Sequence, residues 1–167
     1  MTLQIDSREK ARAIKSIVEE FNRQNIKHFV SKLPVGDYMN YDNPRIVVDR
    51  KQNLTELCSN VCQDHERFRN EMVRANDIDV HIIFLIEHGH DINCKEDVIW
   101  WVNPRSEKRV QDRTTGKWKI VQTNAMSGET LYKIMCTMER KYGVEFIFCD
   151  KEDTGKRIIE ILNGDVS

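Results

Sequence analysis

The sequence predicts an α/β sandwich built around a mixed β-sheet. Short apolar runs of strand length alternate with stretches whose apolar residues recur at i, i+3, i+4 and i+7, the spacing of a helix with one buried stripe. Two early strand-like runs are joined by Asp42-Asn43-Pro44, which carries turn chemistry, so the sheet has at least one antiparallel pair. At 167 residues the chain is long enough to bury one core without disulfides or an obligate metal, and the expectation is a single domain over residues 1–167.

The elements follow in order. Leu3 to Ile5 is apolar and gives way to the polar step Asp6-Ser7, which suits a strand ending at a helix start. Ile14, Ile17, Val18 and Phe21 mark the first helix. His28 to Ser31, Asp37 to Tyr41 and Ile46 to Arg50 read as strands, the last two forming a hairpin. Leu54, Leu57, Cys58, Val61, Phe68 and Met72 keep helical spacing over one long stretch, ending before the apolar strand His81 to Ile86. Lys95 to Val102 is a short helix carrying Trp100 and Trp101. Leu131, Ile134, Met135 and Met138 mark another helix, Val144 to Cys149 a strand, and Thr154 to Leu162 a closing helix with Ile158, Ile159 and Leu162 on its apolar face.

Composition excludes several classes. The 26 Lys and Arg nearly cancel the 27 Asp and Glu, so no global basic field attracts a polyanion and any such attraction is local. The strongest local imbalance is a basic insertion at about 103–122, where Arg105, Lys108, Arg109, Arg113, Lys117 and Lys119 face only Glu107 and Asp112. A solvated loop and a nucleic-acid grip are equally good readings of that stretch taken alone. The longest apolar run, Val80 to Ile86, is far short of the ~20 residues that cross a bilayer. Five scattered cysteines and the lack of a charged-then-apolar leader fit a reducing compartment, with a cytoplasmic location as the expectation. Cys58 and Cys62 share a helix face at a spacing zinc can use, but no second ligand pair follows, and buried thiols are the plainer reading. His88 and His90 beside Asp91 read as a loop rather than a metal pair. Trp100, Trp101 and Trp118 lie near basic residues and could stack on unpaired bases, although core packing suits at least one of the adjacent pair.

A hairpin centred on Asn43 places Asp37 opposite Asp49. Directly opposed side chains sit roughly 5 Å apart, so two carboxylates there need a cation or a shared proton. Alternation along a strand puts Lys51 on the face of Asp49 and turns Arg50 away. Two acids and a lysine fit magnesium or manganese, which take few protein carboxylates and complete their shell with water and substrate phosphate. The chemistry implied is phosphodiester hydrolysis, with Lys51 orienting water or stabilising charge at phosphorus. A strand end with ordinary surface charges is the other reading of the same residues.

Leu33-Pro34-Val35-Gly36-Asp37-Tyr38 followed by Val47-Val48-Asp49-Arg50-Lys51 resembles the nuclease domain of the XPF-type structure-specific endonucleases, members of the PD-(D/E)xK superfamily. Their signature is Gly-Asp, a spacer, Glu-Arg-Lys, three residues, then Asp. Ile5-Asp6-Ser7-Arg8-Glu9 is similar to the Asp-x-Arg-Glu stretch that opens the same domain, and Arg67, Phe68 and Arg69 fall where that family has a basic helix.

The resemblance implies a restriction-endonuclease-like three-layer sandwich with a central mixed β-sheet. It implies Asp6, Glu9, Asp37, Asp49 and Lys51 as catalytic positions, with Mg2+ or Mn2+ held by Asp37 and Asp49. DNA contacts are expected from Arg8, Arg50, Arg67 and Arg69, and from Lys108, Arg109 and Arg113 of the basic segment. The expected activity is cleavage near a branch, flap or junction, in a bacterial or phage repair or recombination role. The expected partners are DNA and a second subunit, as homodimer or with a related chain, for which the last two amphipathic helices offer faces. Asp49 stands where the family has Glu, and Thr55 where it has the final Asp. Glu56 is adjacent to Thr55 but about 100° around the helix, so it is not expected to substitute. Thr55 favours a rival reading, a catalytically silent scaffold that binds DNA or a partner.

Overall fold

Six strands form one mixed sheet in the order β2-β1-β3-β4-β5-β8: β1 (Thr2–Ile5), β2 (Lys27–Val30), β3 (Tyr38–Asn40), β4 (Ile46–Lys51), β5 (His81–Glu87) and β8 (Glu145–Cys149). Five helices accompany them: α1 (Lys15–Arg23), α2 (Leu54–Cys62), α3 (His65–Asp77), α4 (Gly128–Tyr142) and α5 (Thr154–Asn163). β6 (Glu107–Gln111) and β7 (Trp118–Gln122) pair only with each other. This computed structural model describes residues 1–89 and 91–164. His90, weighed above with His88, therefore lies outside the described residues. No helix among the described residues is long and apolar enough to cross a membrane.

Alternation within β4 divides the core. Val47 packs with α2, α3 and α4 through Leu54, Leu57, Phe68, Met72, Leu131 and Met135. Val48 points the other way, to α1 and α5 through Ile17, Phe21, Ile158 and Ile161. A sheet apolar on both faces between two helical layers is the three-layer sandwich expected. β4 and β5 are its centre, buried on both faces and parallel to each other, which is why Ile82 to Ile86 reads as an unbroken apolar run.

The β3–β4 hairpin has the expected register, with Tyr38 opposite Val48 and Met39 opposite Val47. One expectation needs correcting. Residues 54 to 77 are two helices, because the chain leaves the helix at Gln63-Asp64, where both backbone N–H groups bond back to the Ser59 carbonyl. A second correction concerns the faces expected to pair subunits. Leu131, Met135 and Met138 of α4 and Ile158, Ile159, Ile161 and Leu162 of α5 are all buried within this chain, against the sheet and its neighbours, so neither helix offers that face to a second copy.

Candidate active site

Gly36 sets up the site. Its φ of +67° is one that L side chains rarely adopt, and a Cβ there would come within 3.0 Å of Val47 Cβ. The turn carries the chain from buried Val35 to Asp37. The Asp37 backbone is fixed on both sides: its N–H donates to the Val48 carbonyl (2.9 Å), and its own carbonyl accepts from the Asp6 N–H (2.8 Å). Its Oδ2 accepts from the Arg50 N–H (2.8 Å). Asp37 thus stands beside the C-terminal end of β4, from which Asp49 and Lys51 project to the α2/α3 side.

Asp49 and Lys51 are both buried. Lys51 Nζ lies 2.5 Å from Asp49 Oδ1. That short ion pair engages Asp49 Oδ1 directly and ties the buried carboxylate to the ammonium. The ammonium also lies 5.3 Å from the Phe68 ring centroid and 5.6 Å from that of Phe84, which fixes its position by cation–π attraction. Burial alone would depress the Lys51 pKa, but Asp49 and Asp37 more than offset it and hold the ammonium charged. Asp37 is pushed the other way. Burial and the charge of Asp49, reinforced by Glu9, raise its pKa well above the usual carboxylate range despite Lys51 and the Arg50 N–H.

These side chains open on a cavity of about 320 Å3 walled by α2 and α3. Asp64, Arg67, Phe68 and Glu71 line it from one face of α3, at i, i+3, i+4 and i+7. Glu56 and Asn60 line it from α2, while Arg8 and Glu9 close the other side. Glu71 also accepts from the Gly36 N–H (3.1 Å).

Glu56 is the residue that sequence reasoning set aside. The chain enters α2 with Asn53 capping the Glu56 N–H (2.9 Å) while Glu56 reaches back to the Gln52 N–H (2.8 Å). That reciprocal cap swings Glu56, and not Thr55, to the cavity. The turn of about 100° between them is real, but it favours the opposite residue. Asn53 three residues before Glu56 is the signal that could have found it.

The expected residues divide. Glu9, Asp37, Asp49 and Lys51 come together in the cavity. Asp6 does not line it. Fully buried, its Oδ1 accepts from Arg8 N and Nε and its Oδ2 from Arg8 NH2 and Leu33 N. Burial works to raise its pKa, but those hydrogen bonds prevail and hold it below the ordinary value. Arg8 and Arg67 line the cavity, whereas Arg69 lies exposed elsewhere on α3. Arg50, expected to contact DNA, is buried instead. Its NH1 donates to Glu87 (3.0 Å) and its NH2 to Glu9 (3.1 Å), and Glu87 is held in turn by Thr154 (3.1 Å). Tyr38 donates to the same Glu9 oxygen as Arg50 (3.2 Å). Lys108, Arg109 and Arg113 are exposed on the β6–β7 hairpin and its turn.

Asp37 and Asp49 are hard oxygen donors of the chemistry a divalent cation takes. The two carboxylates repel each other across the hairpin end, a condition a cation would relieve. Among the described residues, no group of three or more His, Cys, Asp or Glu converges to form a ready cage. Two carboxylates with the remaining shell left to water and phosphate is the arrangement magnesium accepts.

A family model described as the ERCC4 domain matches residues 5–162. No curated protein sequence matches. Among solved structures, XPF from Aeropyrum pernix is similar with a TM-score of 0.63 and 18% identity, over 99% of this chain and 65% of that one. XPF from Aeropyrum pernix in complex with DNA is similar with a TM-score of 0.62 and 16% identity, over 98% of this chain and 64% of that one. The chain therefore spans a little under two thirds of the length of these relatives, and the likeness is one of fold.

Proposed function

Because this chain belongs to the ERCC4-domain family, a family of structure-specific nucleases, we propose that it is an active, divalent-metal-dependent DNA endonuclease that cuts one strand near a branch, flap or junction. The observation that carries this reading is the pair Asp37 and Asp49 with Lys51, gathered at one end of β4 in an open cavity. A scaffold has no chemical reason to keep two repelling carboxylates and a buried ammonium together, whereas phosphodiester hydrolysis uses all three.

In this reading Asp37 and Asp49 hold the ion, Mg2+ or Mn2+, and their charges are what it needs. When bound, it supplies positive charge for the phosphoryl oxygens and makes water more acidic. Lys51, kept protonated by the two aspartates and fixed over Phe68, aims its N–H donors at the charge that develops on the phosphoryl group. Glu56, already placed on the cavity wall, completes the acidic rim in place of the family's final Asp. Glu9 faces the cavity with one oxygen engaged by Arg50 and Tyr38, so its role is to fix the loop that carries Arg8 against the strand end. Arg50 acts through Glu9 and Glu87 as a positioning residue. Arg8 and Arg67 meet phosphates at the mouth, and the β6–β7 hairpin grips the DNA backbone at a distance through Lys108, Arg109 and Arg113. The DNA-bound state of the Aeropyrum pernix XPF relative supports DNA as the partner.

The test is incubation of the purified protein with branched, flapped and linear DNA in magnesium, manganese or chelator. Branch-dependent, metal-dependent nicking is the expected result. Thr55 in place of the family's final Asp, with no ready cage of three or more His, Cys, Asp or Glu among the described residues, favours the silent scaffold; binding to branched DNA without cleavage under either metal would establish it instead.

A further inference from the structure

A second concavity of about 350 Å3 adjoins the catalytic cavity and shares Arg50 and Gln52 with it. Its other walls are Lys10, Arg12, Ala13 and Lys151, so four cations and no carboxylate line it. That composition is unusual for a chain whose charges nearly cancel, and the cations come from three separate places: the loop before α1, the end of β4 and the turn before α5. Many surface cations elsewhere are engaged, among them Lys15 with Glu19, Lys133 with Glu129, and Lys156 and Arg157 with Glu160. Lys10, Arg12 and Lys151 have no side-chain hydrogen bond or ion pair among the described residues. Arg50, whose charge Glu9 and Glu87 already offset, forms the inner wall, with its side chain only 5% exposed and its Nε buried without a hydrogen-bond partner, so the uncompensated charges are those of Lys10, Arg12 and Lys151. The loop leads into α1, whose first turn carries no acid and whose cap residue Ile14 makes no side-chain hydrogen bond, so the positive end of that helix is not neutralised locally.

Like charges gathered around a concavity raise the energy of the unliganded protein, and a phosphate relieves that repulsion with charge-assisted hydrogen bonds. The wall shared with the catalytic cavity decides which phosphate. A strand whose scissile bond lies at Asp37, Asp49 and Lys51 passes over Gln52 to reach it. Resting on the nuclease reading above, we propose that Lys10, Arg12 and Lys151 form a second phosphate site that holds an internal phosphodiester of the cut strand a few nucleotides from the scissile bond. The site registers the strand along the cavity, so that cut position depends on it.

The experiment uses the whole chain and fluorescently labelled branched DNA. Binding is measured in chelator across a salt series, and cut positions are measured in magnesium. The Lys10→Ala/Arg12→Ala/Lys151→Ala variant removes only exposed side chains, and an unchanged melting temperature verifies its fold. Each phosphate that the variant no longer neutralises lowers the slope of log affinity against log salt by roughly 0.7–0.9. Neutral methylphosphonate linkages, placed one at a time along the strand, should weaken binding by the unmodified protein at one linkage near the cut, and the variant should be indifferent at that linkage and show scattered cut positions. An unchanged slope with an identical linkage profile and cut pattern overturns the second site and leaves the nuclease reading standing. Dependence on a terminal phosphate alone, tested with phosphorylated and unphosphorylated ends, overturns it as well. Failure of the unmodified protein to bind any DNA overturns the nuclease reading, and this site with it.

Discussion

Two aspartates in this chain are shifted in opposite directions, and the signs make opposite predictions. Asp37 has its folded pKa raised by burial and by Asp49, so its favourable contribution is present below the unfolded value and lost as pH rises through the folded one. At pH 8 without metal, well above the unfolded value, holding this carboxyl in its buried site beside Asp49 costs stability. Asp37→Asn should therefore melt higher than the unmodified protein in chelator, with each 1 kcal/mol recovered worth roughly 2–4 °C, while magnesium raises the melting temperature of the unmodified protein only. A variant that melts lower, or that still gains from magnesium, contradicts this account. Asp6 is held low by Arg8 and the Leu33 N–H, so its contribution is present above the unfolded value and lost as pH falls through the folded one. Asp6→Asn should cost about 1–3 kcal/mol in chemical denaturation at neutral pH, since it weakens a fully buried acceptor, and the protein still folded should keep cutting. Glu56 and Thr55 separate in the same way: Glu56→Gln should slow cleavage, whereas Thr55→Asp should leave the rate alone because Thr55 does not line the cavity. Asp37 facing Asp49 is legible in sequence because hairpin pairing is local arithmetic. The placements of Asp6, expected as catalytic, and Arg50, expected to contact DNA, are not, since the partners that hold them elsewhere, Leu33 and Glu87, lie 27 and 37 positions away and are brought close only by the sheet.

At the scale of elements, the strands that carry the site follow from apolar pattern alone, and the hairpin register follows from Asp42-Asn43-Pro44. The break between α2 and α3 does not, because Leu57, Cys58, Val61, Phe68 and Met72 keep one helical phase across it and only the Ser59 carbonyl, accepting from both Gln63 and Asp64, shows the interruption. That break sets the angle at which the two helices wall the cavity. The basic segment reads equally as loop or grip in sequence; as β6–β7 it is a hairpin paired only with itself, with Trp118 and Ile120 exposed on one face beside Arg109. Lys108→Ala/Arg109→Ala/Arg113→Ala should lower the salt slope of DNA binding by roughly 0.7–0.9 for each phosphate left unneutralised, with single-turnover cleavage at saturating protein unchanged. An unchanged slope would show the hairpin to be a solvated arm. At Gly36 the expectation is stricter. Gly36→Ala forces a left-handed backbone and a 3.0 Å approach to Val47, so stability should fall by about 1–3 kcal/mol and cleavage should fall with it as Asp37 shifts.

For the molecule as a whole, the sandwich supplies a rigid edge, and the proposed chemistry lies where strand ends meet two helices. β4 is central to this arrangement: Val47 and Val48 hold it in the two halves of the core, and the next residues, Asp49 to Gln52, emerge as the floor of one cavity and the wall of another. Sequence periodicity reveals such a strand but not which helices it will face, and so Glu71, Asn60 and the Lys10, Arg12 and Lys151 cluster became visible only once the layers were assembled. Asp37, Asp49 and Lys51 are proposed to form a working hydrolytic centre. Single-turnover cleavage of a branched DNA by the unmodified protein and by Asp49→Asn, in magnesium, manganese and chelator with binding measured in parallel, tests it most directly. The account predicts metal-dependent nicking by the unmodified protein, a loss of at least about a hundredfold in Asp49→Asn, as for removal of a group that stabilises transition-state charge, and retained DNA affinity in both. Equal nicking by the two proteins, or none by either despite tight binding, would contradict it.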